Sequence, residues 1–229
     1  MPDDIAKPLT FEKPFLLLCE GPADCEFYKR LLVARGIGQE IEVICPADVP
    51  GAGHGRDAFT KFLQVVKIGS SFSRNVKAVL AVGDADDDQK GSFEVVRDQL
   101  EAAGYARHGG CCKLSPSPSG ILPYSMIYMV PQSKEGCLET IWLEAMFKKH
   151  PLIRDPLDEF MGKTPAKGWG LTKQEKMRAS TVVAATCKEN PGVGFSWHWI
   201  YKLVNFSDPC FTPISKVIRQ YEREARTLP

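Results

Sequence analysis

The sequence predicts a doubly wound α/β fold around a mainly parallel sheet, and two observations carry that expectation. Short, largely apolar runs recur at residues 14–19, 41–45 and 77–83. Each run ends in a glycine-containing or acidic turn, and each turn leads into a segment with apolar residues at helical spacing. Strands covered on both faces read as continuous apolar stretches, and parallel neighbours need a crossover between them.

The first run, PFLLLC, is closed by Glu20-Gly21-Pro22. Pro22 suits a first helical turn and Asp24 favours its positive end. Phe27/Leu31 and Tyr28/Leu32 repeat at i,i+4, and Gly36 can cap the helix. The second run, IEVIC, leads into Gly51-Ala-Gly-His-Gly55, and residues 56–68 carry Phe59, Phe62, Leu63 and Val66 on one helical face. The third, KAVLAVG, ends in Asp84-Ala-Asp-Asp-Asp88 and is followed by an amphipathic segment over residues 92–103 with Gly104 at its end.

Residues 105–119 turn to Gly, Ser and Pro, loop chemistry around a short strand at residues 111–114. Residues 121–130 read as a fourth strand and 136–149 as a helix with Leu138, Ile141, Trp142 and Ala145 on one face. Residues 150–170 mark a boundary, so the expected division is an α/β core over 14–150 and a helical, basic segment over 151–229. That segment contains helices at 172–188 and 213–225 and an aromatic stretch over 195–206.

At 229 residues and 44% hydrophobic content the chain can bury a core. No window offers the about 20 unbroken apolar residues of a membrane helix. The eight cysteines are scattered, with no Cys-x-x-Cys pair, and the four histidines flank none of them at finger spacing. Reduced thiols in a cytoplasmic protein are expected, and a structural zinc site would need ligands gathered from distant loops. The net charge of +1 is unevenly divided. Residues 161–229 hold eleven Lys or Arg against five Asp or Glu, leaving the rest of the chain acidic. Such a division suits a metal site beside a polyanion-binding surface, and equally an ordinary solvated helical face.

Glu20, Asp84 and Asp86 all stand where a strand ends, the edge at which ligands bind in open α/β sheets. An extended Asp-x-Asp would aim two carboxylates the same way. Carboxylates gathered at one point repel unless a cation neutralises them, and Mg²⁺, or Mn²⁺ in its place, is the hard divalent ion that oxygen donors and phosphates share. The alternative for Asp84–Asp88 is a solvated turn with a helix cap, the role favoured for Asp87 and Asp88. The glycines at 51–55 invite a phosphate-loop reading, but the Lys-Ser/Thr ending is missing and a tight connection explains them better. His54 and Arg56 could still face the acidic edge and touch phosphate. Lys163, Lys167, Lys173, Lys176 and Arg178 could track a nucleic-acid backbone, with Trp197, His198, Trp199 and Tyr201 stacking bases or, as the commoner use, packing a core. No Gly-x-Ser-x-Gly elbow is present, which excludes a serine hydrolase of that type.

The order strand/Glu-Gly, helix, strand/Asp-x-Asp resembles the Toprim domain shared by topoisomerases, bacterial primases, OLD-type nucleases and small recombination proteins. LLLCEGPADCEFYKRLL (16–32) is similar to its opening and AVLAVGDADDD (78–88) to its second motif. VPQSKEGCLETIW (130–142) is similar to a branch of uncharacterised prokaryotic Toprim-like proteins, so the resemblance spans about residues 14–149. It implies that Glu20 acts as general acid or base, that Asp84 and Asp86 hold Mg²⁺, and that Glu139 is the added acid of the OLD-like branch. Glu139 can also be read as a carboxylate favoured by a helix N-terminus. Cys19 replaces the usual aliphatic residue, and no recognisable strand-cleaving tyrosine is present, which sets topoisomerase and primase roles aside. The expected activity is Mg²⁺-dependent nuclease or related phosphodiester chemistry on DNA or RNA, in DNA processing or phage defence, with a partner ATPase as OLD-like nucleases carry. The alternative is a non-catalytic module that binds a nucleotide or a protein.

Overall fold

Each of the four apolar runs forms a parallel strand. The computed structural model describes residues 9–188 and 203–229. Strands β1 (Phe15–Leu18), β2 (Ile41–Ile44), β3 (Ala78–Asp84) and β4 (Tyr124–Val130) pair in the order β2-β1-β3-β4. Phe15 stands between Ile41 and Ala78, and Ala78 beside Tyr124, so the four strands start level. The last strand begins later than its sequence suggests because Pro123 has no N–H to give the ladder.

Helices cover both faces. Alternate strand residues, Phe15 and Leu17 with Leu80, Val82, Met126 and Tyr128, face α1 (Pro22–Arg35), α5 (Leu138–Lys149), α7 (Leu171–Thr186) and α8 (Thr212–Arg226). Leu16 and Leu18 with Val79, Ala81, Ile127 and Met129 face α2 (Phe59–Val66), α3 (Ser70–Asn75) and α4 (Gln89–Ala102). The chain is therefore a doubly wound α/β fold. From β1 it crosses to β2 on one side and later returns to β3 on the other. The reversal leaves a crevice between the carboxyl ends of β1 and β3.

Local expectations hold at α1, which has Pro22 at its first position and Gly36 in the left-handed region at φ 58°. Two helices escaped the sequence reading. The six residues of α3 lie in what reads as a connection. The stretch expected as a boundary contains α6 (Arg154–Gly162), which buries Leu157 and Met161, one i,i+4 pair. Residues 111–114 do not form a strand. Cys112 N–H donates to Ile127 O at 2.8 Å and Ser115 bridges Ser125, but Cys112 sits at φ 58° and Pro116 cannot donate, so pairing stays local.

The described part of 151–229 contains helices and turns without a strand, and it shares the core of the sheet. Ala179, Val182 and Val183 of α7 and Ile214, Ile218 and Tyr221 of α8 belong to the cluster under α1 and α5. Tyr221 OH donates to Leu16 O of β1 at 3.1 Å. Among the described residues no helix is long and apolar enough to cross a membrane.

Candidate functional site

The crevice between β1 and β3 is where the acidic residues meet. Glu20 follows β1, and its Oε1 accepts the backbone N–H of Asp84 at 3.0 Å, linking the ends of the two strands. The approach depends on Gly83, since a Cβ there would stand 3.1 Å from Glu20 Oε1 and 3.2 Å from Val96. Asp84 Oδ1 accepts the N–H of Leu138 at the start of α5 at 3.1 Å. Asp84, Cys137 and Glu139 offer ligand atoms that all lie within 4.8 Å of one another. Asp24 folds back from α1 to take the Gly21 N–H at 3.0 Å.

Asp86 departs from the extended geometry that would align it with Asp84. It lies at φ 52°, its backbone exchanges hydrogen bonds with Gly136 at 2.7 Å in both directions, and its Oδ2 lies 3.0 Å from Arg56 Nη1. Arg56 also donates to Asp84 O at 3.2 Å and stands 4.0 Å from Glu20 Oε1. The loop that delivers it has Gly51, Gly53 and Gly55 all at positive φ, which accounts for the glycines as backbone geometry. A second cation arrives from α7, where Lys176 Nζ is 3.6 Å from Asp84 Oδ2.

Burial sets the electrostatics. It holds the Glu20 carboxyl above its ordinary range, opposed by the Asp84 N–H and Arg56. Burial, then the charges of Glu20 and Glu139, push Asp24 to about 7. Asp84 is raised well above the carboxylate range by burial and by Glu20, Asp24 and Glu139, with Lys176 opposing. Burial also raises the Cys137 thiol, reinforced by Glu139 and Asp84. Burial works against the Lys176 ammonium, but Asp84 and Glu139 outweigh it and raise its pKa. The site is a set of crowded carboxyls held by two cationic side chains.

The remaining acidic residues of the loop are caps. Asp88 accepts from Gly91 N–H at 3.0 Å at the start of α4, and Asp87 accepts from Thr172 N–H at 2.7 Å at the start of α7. Of the cationic candidates, Arg56 and Lys176 reach the crevice, whereas His54 is exposed on its loop. Lys173 is exposed on α7 and lines an open hollow with Trp169, Lys176, Met177 and Ser180. Lys163 and Arg178 pair with Glu159 and Asp158 instead. Trp197, His198, Trp199 and Tyr201 lie outside the described residues. Sequence reasoning missed Cys137 and the place of Asp24 in the cluster. The Asp24 signal was present, a carboxylate one turn after Glu20, but Cys137 carried none.

Fold and site together define an α/β protein with an acidic cluster at the topological switch point of a parallel sheet. The chain belongs to the DUF3226 family of proteins of unknown function, which it matches over residues 14–222. No curated protein and no solved structure matches it.

Proposed function

We propose that this chain is a Toprim-like, Mg²⁺-dependent enzyme that cleaves or transfers phosphodiesters in nucleic acid, with the crevice between β1 and β3 as its active site. The observation that carries this reading is the convergence of Glu20, Asp84 and Glu139 from three separate elements on one point, with Arg56 and Lys176 beside them. The oxygen donors fit a hard divalent ion, and the raised carboxyls of Asp24 and Asp84 are groups that such an ion would let ionise. Asp84 and Glu139 would hold it, joined by Asp86 on release from Arg56. When bound, Mg²⁺ neutralises phosphate charge and polarises the phosphoryl oxygen.

The chain's own residues would then divide the work. Glu20, half-buried and with its pKa raised, is suited to hold and pass a proton at the oxygen that the Asp84 N–H does not take. Arg56 would orient a phosphate by its guanidinium fork, and Lys176 would meet it as a point charge. The hollow around Lys173 and exposed Trp169 extends this cationic side along α7, a setting for backbone contact and base stacking.

The test is incubation with single-stranded DNA, duplex DNA and RNA in Mg²⁺ or Mn²⁺, beside a Glu20→Gln/Asp84→Asn variant. Cleavage by the wild type that is abolished in the variant supports the reading. No cleavage, with no thermal shift on adding either ion, overturns it. One observation favours a non-catalytic binding module as the second reading, namely that Arg56 and Lys176 already balance the carboxylates as internal counter-ions. That module predicts nucleotide or protein binding without turnover. A cytoplasmic location and a partner ATPase belong to the same proposal and rest on the resemblance and the thiol content.

A further inference from the structure

Three buried cysteines that the proposed chemistry does not use converge below the Glu20 turn. Cys19 follows β1, Cys25 lies in the first turn of α1, and Cys45 follows β2. Asp48 ends the short 3₁₀ turn Pro46–Asp48 and takes the Cys45 N–H at 3.0 Å. The sulfurs of Cys25 and Cys45 and a carboxylate oxygen of Asp48 all lie within 4.8 Å of one another. Cys25 Sγ is 3.9 Å from Asp48 Oδ2, and Cys19 Sγ is 3.2 Å from Cys25 Sγ.

The mutual reach of Cys25, Cys45 and Asp48 suits a shared ion, and Cys19, 3.2 Å from Cys25, would have to draw back slightly to join them. Around tetrahedral zinc, with Zn–S near 2.3 Å, adjacent sulfurs stand about 3.8 Å apart. The thiols are buried while Asp48 is exposed, so the donors are shielded and one side stays open for an ion to enter. Two thiols and a carboxylate form a softer donor set than the carboxylate crevice, and soft sulfur selects a different class of metal from Mg²⁺.

We propose that Cys25, Cys45 and Asp48, with Cys19 as the nearest fourth donor, form a binding site for a borderline-soft divalent cation of the Zn²⁺ class, separate from the carboxylate site. Each coordinating thiol gives its proton to water as its sulfur–metal bond forms. The ion ties together the end of β1, the first turn of α1 and the end of β2. It thereby fixes the turn that carries Glu20, and it stands whether or not the protein cleaves nucleic acid.

Cobalt is the probe. Reduced wild-type protein, titrated with Co²⁺ without oxygen, is expected to develop thiolate-to-cobalt charge-transfer absorption that saturates at equimolar metal. The band should vanish in Cys25→Ser/Cys45→Ser, weaken in Asp48→Asn and persist in Cys137→Ser, whose thiol lies at the other cluster. Absence of the band in folded wild type overturns the proposal, as does a band lost only in Cys137→Ser. If the double variant fails to fold, alkylation of the wild type decides. Zn²⁺ should slow modification of Cys25 and Cys45 while leaving Cys111 and Cys112 unchanged, and equal rates with and without Zn²⁺ overturn the site. A Cys19–Cys25 disulfide that re-forms after reduction in the presence of Zn²⁺ also overturns it.

Discussion

Lys176 Nζ stands 3.6 Å from Asp84 Oδ2, so a helix of the basic rear third places its ammonium against the carboxylate that ends β3. An ammonium there and a divalent ion at Asp84 and Glu139 compete for the same charge.

Lys176→Met should therefore tighten Mg²⁺ binding by up to about tenfold, about 1.4 kcal/mol, while lowering turnover on nucleic acid. Calorimetric titration with Mg²⁺ and a cleavage assay separate the two effects. Unchanged Mg²⁺ affinity would show that the ammonium is not coupled to the metal position.

The metal-free protein should lose stability as pH rises from about 4 to about 7. The folded carboxyl of Asp24 keeps its proton to about 7, whereas an unfolded one releases it near 3.9. Within that window the folded state binds more protons, so the slope of stability against pH is negative, and above about 7 the loss is complete. Asp24→Asn should leave stability unchanged near pH 4 and raise it near pH 8, by at most about 4 kcal/mol. Urea unfolding at the two pH values measures this, and an equal effect at both would sink the assignment.

Gly83→Ala should reduce activity more than stability. The added Cβ falls 3.1 Å from Glu20 Oε1 and 3.2 Å from Val96, both closer than ordinary contact, so the carboxylate must give way and its bond to Asp84 N–H lengthens. Loss of one positioned hydrogen bond to a charged group corresponds to about 1.5–3 kcal/mol of its interaction. A fall in cleavage rate with a melting temperature within a few degrees of wild type is the expected result.

Asp87→Ala should loosen the start of α7. It removes the acceptor for Thr172 N–H, a cap contribution of about 1 kcal/mol. Hydrogen exchange should speed up in the first turn of α7 and leave α4, capped by Asp88, unchanged.

Much of this was legible in the sequence. The β1–α1 unit could be read because its apolar run, Pro22 and Gly36 each act locally. Asp88 could be read as a cap for the same reason, whereas Asp87 takes the N–H of Thr172, eighty-five positions on, a partner that no local rule indicates. The orientation of Asp86 could not, since its φ of 52° follows from pairing with Gly136, fifty positions away. Lys176 was expected to touch nucleic acid, but its contact with Asp84 depends on how α7 packs against α5, which periodicity does not encode. Helix α6 was hidden because it lies in a stretch rich in Pro, Gly and charge and its buried apolar face is only Leu157 and Met161. The fourfold gathering of Cys19, Cys25, Cys45 and Asp48 required the β1–β2 pairing before any spacing had meaning.

The hydroxyl of Tyr221 on Leu16 O has a consequence for biosynthesis. Strand β1 is translated about two hundred residues before the helix that supplies part of its cover. Until α8 emerges, the nascent sheet keeps part of one apolar face bare, so this stretch of translation is when the chain would depend most on a chaperone.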